Sequence, residues 1–128
     1  MSDDNDPVDV LIVDDDEAYA DLTRERMALA GLRAEVQLGP FGAVNTIRRL
    51  RPRVVLLDVN MPAIRGEQVL DLLHARALED SPRVIFLSSM DGRSLAKLAK
   101  QHGAHGWLSK SATRVQIVSA VRQAIDAS

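Results

Sequence analysis

The side chains here that could do chemistry together fall at four places. Asp14, Asp15 and Asp16 form one run, Asp58 stands alone, Ser88 and Ser89 are adjacent, and Lys110 is last. Each group follows an apolar stretch. Two close carboxylates repel by about 1–4 kcal/mol, depending on the effective dielectric. Such a cluster either raises one pKa or holds a cation. With oxygen ligands and no cysteine in the chain, Mg2+ fits best and Mn2+ next. A solvated acidic turn is the plainer alternative that the residues leave open. A hard cation beside a carboxylate, a lysine and a hydroxyl suits phosphoryl transfer, which needs an in-line nucleophile and positive charge on the equatorial oxygens. On this reading Asp58 is the nucleophile, and Lys110 and Ser88 share the phosphoryl oxygens with the ion.

These residues meet only if the chain brings them to one edge. Val54-Val55-Leu56-Leu57-Asp58 reads as a strand buried on both faces of a parallel sheet, and Pro62 stops its continuation. Val8 to Val13 and Val84 to Leu87 are two more buried strands. Leu32 to Leu38 alternates in part, as an edge strand does, and Gly106 to Ser109 is a short last one. Between them the spacing predicts five helices. The first is capped by Asp16, carries Ala18, Leu22 and Leu29 on its inner side, and stops at Gly31. The second covers Phe41 to Leu50, with Val44 and Ile47 inward. The third follows Gly66 with Val69, Leu70, Leu72, Leu73 and Ala77. The fourth is marked by Leu95, Leu98, Ala99 and His102, ending at Gly103. The fifth runs from about Thr113 to Ala127, with Ile117, Val118, Val121 and Ile125 inward. Strand then helix, five times over, implies an α/β fold with a parallel sheet covered on both faces. All strand carboxyl ends then share one edge, where open α/β sheets place their chemistry.

Composition narrows the classes further. The 128 residues suit one domain. Residues 1–7, with Asp3, Asp4 and Asp6, read as a disordered acidic tail, and 8–127 as the domain. A formal charge of −2 gives no case for nucleic acid or a membrane surface as an electrostatic partner. No apolar run approaches membrane-span length and the N-terminus is acidic, unlike a signal peptide, so a cytoplasmic protein is expected.

The ordered set Asp14-Asp15, Asp58-Val-Asn-Met-Pro, Gly66, Ser88 and Lys110 resembles the receiver domain of bacterial two-component response regulators, the CheY-like superfamily. The likeness spans about residues 8–127. It implies a flavodoxin-like five-stranded sheet of order 2-1-3-4-5 with five flanking helices. It implies that Asp58 is the phosphoacceptor, that Asp15, Asp58 and the Asn60 carbonyl bind Mg2+, and that Asp14 acts through water. Lys110 would bridge to the phosphoryl group, with Ser88 the switch hydroxyl and Trp107 the switch aromatic. The donor would be a sensor histidine kinase or a phosphotransfer protein. The output would be an unknown partner, or a C-terminal domain outside this sequence, read through the face of the fourth helix, fifth strand and fifth helix. A homodimer fits as well. Such a module is not an enzyme, since it catalyses only its own phosphotransfer and dephosphorylation.

Two departures stand out. Ser111 follows Lys110 where many receivers have proline. A cis bond before a non-proline costs about 2.5–4 kcal/mol, so a trans bond is expected. The segment Gly103 to Thr113 is similar to the NarL/LuxR-like class, which also tends to lack that proline. Trp107 replaces the usual Tyr or Phe, as either a bulkier lever or a fixed, half-buried ring. Met90 could shield an acyl phosphate from water. A phosphorylation-independent interaction module with the same fold is the alternative function. A phosphohydrolase is disfavoured because Asn60 stands where such enzymes place a second Asp. His102 and His105 lie in helix-end and turn contexts that do not suit a metal pair.

Overall fold

The computed structural model describes residues 8–76 and 81–127. The tail expected at 1–7, and Ala77 of the third helix, lie outside the described residues. The elements alternate as β1 (Val10–Asp14), α1 (Glu17–Leu29), β2 (Ala34–Leu38), α2 (Ala43–Leu50), β3 (Val54–Asp58), α3 (Gly66–Arg76), β4 (Arg83–Ser88), α4 (Gly92–His102), β5 (Gly106–Ser109) and α5 (Arg114–Asp126). The sheet order is β2-β1-β3-β4-β5, with every pair parallel. The order reverses between β1 and β3. The crevice at such a switch point opens over the carboxyl ends of those two strands.

The continuous apolar runs have a simple cause. Val10, Ile12, Val54, Leu56, Ile85 and Leu87 pack against α1 and α5 on one face of the sheet. Leu11, Val13, Val55, Leu57, Val84 and Phe86 pack against α2, α3 and α4 on the other. Each strand residue therefore finds a core whichever way it points, and each fully buried aliphatic contributes about 1.5–3 kcal/mol. The same alternation aims the chemistry. Asp14 and Asp58 continue the series that faces α1 and α5. Ser88 continues the series that faces α3 and α4.

The helices depart from the sequence expectation in places. In α1 the buried residues are Ala20, Thr23 and Met27, while Leu22 and Leu29 are exposed and so is Ala18. Thr23 can be buried because its hydroxyl donates to the Tyr19 carbonyl at 2.8 Å. The second helix begins at Ala43, because Gly42 takes a left-handed φ of 79°, and this leaves Phe41 exposed. In α3, Leu72 faces outward while Val69, Leu70 and Leu73 are buried. In α4, Leu95 and Ala99 are buried, and Leu98 only packs at the edge of the core. Asp16, Asp91 and Thr113 cap α1, α4 and α5. Gly103 closes α4 at φ 75°. No cis peptide bond occurs among the described residues, so Lys110–Ser111 is trans as expected.

Candidate functional site

The carboxyl edge gathers most of the expected residues. Asp14 and Asp58 are buried, and Asp15 is exposed. One carboxylate oxygen from each lies within 4.8 Å of the others. Lys110 Nζ stands 2.9 Å from Asp14 Oδ2 and 3.4 Å from Asp58 Oδ2. The Lys110 backbone is fixed alongside, its N–H donating to the Ser88 carbonyl at 2.9 Å. The Asn60 N–H donates to Asp58 Oδ1 at 3.0 Å, and the Asp16 N–H to Asp14 Oδ1 at 2.9 Å. The second oxygen of each buried acid is thus the one turned to the lysine.

The electrostatics follow from this crowding. Burial pushes the Asp58 carboxyl up to about 6, and the Asp14 charge adds to the effect; the Asn60 N–H and Lys110 pull the other way. Burial works against the Lys110 ammonium, but Asp14 and Asp58 outweigh it and hold its pKa above the usual value. A cluster that cannot comfortably carry all its charges has room for one more cation. Its donors are hard carboxylate oxygens, the set that Mg2+ and Mn2+ prefer.

Ser88 is also buried at this edge. Its hydroxyl donates to Asn60 Oδ1 in a short contact and accepts the Met90 N–H at 2.9 Å. It therefore ties the β3–α3 loop to the β4–α4 loop. Gly66 belongs to the same construction. A Cβ there would collide with the Asp58 carbonyl oxygen and come within 2.9 Å of Val59 Cα. The first turn of α3 can close on β3 only without a side chain.

Not every expected residue joins the cluster. Asp16 is spent as the α1 cap, accepting from the Tyr19 N–H at 3.2 Å, and Ser89 points to solvent. Trp107 is 42% exposed, and its ring lies over Gly92 at the start of α4, where a methyl group would meet it at 3.4 Å. Met90 packs partly buried against the core. His102 and His105 have structural partners: His102 Nδ1 lies 2.9 Å from Asp71 Oδ1, and His105 Nδ1 accepts the Val84 N–H at 3.0 Å. Sequence reasoning missed Tyr19, whose ring centroid lies 4.9 Å from Lys110 Nζ. Its place in the first turn of the helix that Asp16 caps, directly after the acidic run, was the available signal.

An open α/β sheet whose carboxyl edge holds three acids, a hydroxyl and a lysine defines a CheY-like signalling domain. The profile of the response regulator receiver domain matches residues 10–122, and the chain belongs to that family. It is 34% identical over 116 residues to the "Probable transcriptional regulatory protein NarL" of Mycobacterium tuberculosis, covering 89% of this chain and 53% of that protein. It is 32% identical over 129 residues to a "Protein-glutamate methylesterase/protein-glutamine glutaminase 1" of Anaeromyxobacter dehalogenans, covering 90% of this chain and 36% of that protein. The solved signal receiver domain of NarL from M. tuberculosis superimposes with a TM-score of 0.83 at 28% identity, covering 96% of this chain and 99% of that one. The chain thus spans about a third to a half of the curated relatives. Receiver domains are signalling modules that bind Mg2+ at an acidic pocket and work with histidine kinases and output domains. Among the described residues no helix is long and apolar enough to cross a membrane.

Proposed function

We propose that this chain is the phosphoacceptor of a two-component relay, with residues 8–127 as the working unit and the cytoplasm as its location. Asp58 takes a phosphoryl group from a histidine kinase or phosphotransfer protein. The observation that carries the reading is the position of Lys110 Nζ, 2.9 Å from Asp14 and 3.4 Å from Asp58. A lysine held there offers its charge to a phosphoryl oxygen on Asp58 with little movement.

Asp15, Asp58 and the Asn60 carbonyl would hold Mg2+. Asp14, already paired to Lys110, suits an outer role through water. When bound, Mg2+ supplies positive charge against the acids and the phosphoryl oxygens. The remaining work falls to the chain. The Asn60 N–H orients the Asp58 carboxylate, and Lys110 follows the charge that builds on the phosphoryl group.

Phosphorylation adds roughly −1.5 to −2 charges. The Ser88 hydroxyl would leave Asn60 for a phosphoryl oxygen, drawing the β4–α4 loop with it. Trp107, now resting on Gly92, would turn inward and reshape the face of α4, β5 and α5 for an output partner or domain. Shifting a two-state equilibrium from 1:99 to 99:1 needs about 5.5 kcal/mol. Two charge-assisted contacts at about 1.5–3 kcal/mol each are of that size.

Incubation with Mg2+ and acetyl phosphate, followed by intact mass measurement, tests the reading. One added phosphoryl group, abolished by EDTA, is expected. No addition to the wild type would sink it. Partner binding indifferent to beryllofluoride and to Asp58→Asn would instead favour a phosphorylation-independent interaction module.

A further inference from the structure

We infer that Tyr19 is a positioning residue for Lys110: its ring forms a shelf that keeps the ammonium group over the Asp14–Asp58 pair. The geometry stands by itself, while the consequence for phosphotransfer rests on the phosphoacceptor reading above.

Lysine reaches its partners on a flexible four-carbon stem and binds as a point charge, so it needs to be held if it is to wait in one place. Asp14 and Asp58 attract Lys110 from the sheet side. From the side of α1 the Tyr19 ring presents its face at 4.9 Å, inside the roughly 6 Å range over which an aromatic face attracts a cation. The Lys110 side chain is 19% exposed, and a largely desolvated cation feels the ring more strongly than one in water. The backbone that carries the ring is pinned, and the ring is packed. Asp16 accepts the Tyr19 N–H, Thr23 donates to the Tyr19 carbonyl, and the ring packs against the core layer under α1 and α5.

The chain has one tyrosine, one tryptophan and two phenylalanines, so an aromatic here is a sparing use of a scarce residue type. Phe86 lies in the other core layer, Phe41 is exposed before α2, and Trp107 covers Gly92. A leucine at 19 could fill the space against α5, but it would not attract an ammonium group. Without the ring, Lys110 is left to its nearer carboxylate, Asp14, and to solvent, and it spends less time where Asp58 needs it.

The test uses the whole chain with Tyr19→Phe, Tyr19→Leu and, should the leucine variant fail to fold, Tyr19→Met. Two quantities are read. One is the NMR shift of the Lys110 side-chain protons, which a ring face moves upfield and which is readily assigned because Lys97 and Lys100 are the other lysines. The other is the rate of phosphorylation by acetyl phosphate with Mg2+. Tyr19→Phe should keep the upfield shift and the wild-type rate. The aliphatic variants should lose the shift, and their rate should fall about three- to tenfold, as the loss of a partly buried cation–ring contact implies. An unshifted lysine in the wild type, an unchanged rate in the aliphatic variants, or a phenylalanine variant as slow as leucine would each overturn the proposal. A wild type that takes no phosphoryl group would sink the phosphoacceptor reading instead, and the lysine shift alone would then decide whether the ring holds the ammonium group.

Discussion

Gly66 faces the Asp58 carbonyl so closely that no side chain fits between them. The start of α3 is thereby pressed against the end of β3. Gly66→Ala must push the two apart, and overpacking of this kind costs about 1–3 kcal/mol. Urea denaturation should show that loss, and phosphorylation should slow because Asp58 moves with its backbone. An alanine variant as stable as wild type would mean that α3 closes on β3 in some other way.

Much of this was legible in the sequence, for identifiable reasons. β1, β3 and β4 are buried on both faces, and that leaves unbroken apolar runs that end in Asp14, Asp58 and Ser88. The site was legible because those ends share an edge. The face of α1 was not, because its buried side is Ala20, Thr23 and Met27 while Leu22 and Leu29 stand in solvent. There hydrophobicity points the wrong way, and a hydrogen-bonded threonine takes a core position. The division of labour in Asp14-Asp15-Asp16 was hidden as well. One is buried and ion-paired, one is exposed at the cluster and one caps a helix, a split that depends on how the strand ends.

Asp58 should make the fold less stable as pH rises. Its folded pKa of about 6 lies above the ordinary 3.8, so the folded state binds more protons between those values. The cost of its charge is absent at lower pH, grows through that window and is full above about pH 6, where it amounts to at most about 3 kcal/mol. Without divalent ions, Asp58→Asn should therefore gain on the wild type as pH rises from 4 to 7 in urea titrations. Mg2+ at pH 7.5 should stabilise the wild type and do less for the variant. A difference between the two proteins that stays flat with pH would contradict this origin of the shift.

Removing the lysine should hurt more than removing its partners with it. Lys110→Met leaves Asp14 and Asp58 facing each other without a cation, and breaking a buried pair from one side costs about 3–5 kcal/mol. Relief comes when Asp58 takes up a proton, so the loss should shrink as pH falls. Adding Asp14→Asn should recover part of the stability, a non-additivity that a double-mutant cycle measures. Strict additivity would show that the pair seen at 2.9 Å carries no coupling.

His105 should act in the opposite sense to Asp58. Its Nδ1 accepts the Val84 N–H, and burial first, then Arg83 and His74, hold its pKa below 6.5. The stability it contributes is complete above pH 6.5 and is lost as pH falls towards its folded pKa. In an Asp58→Asn background, His105→Asn keeps an acceptor in place without the titration. That pair should lose less stability between pH 7 and 5 than Asp58→Asn alone, as read by thermal melting. Parallel melting curves would assign the acid sensitivity elsewhere.

On the phosphoacceptor reading, the acids, the hydroxyl and the lysine serve one acceptor, the Asp58 carboxylate. Borohydride reduction of the acetyl phosphate-treated protein, followed by peptide sequencing in the mass spectrometer, tests it most directly, because an aspartyl phosphate is converted to homoserine where it stood. Homoserine is expected at position 58, dependent on Mg2+ and strongly reduced in Lys110→Met. Homoserine at another aspartate, or none at any, would contradict it.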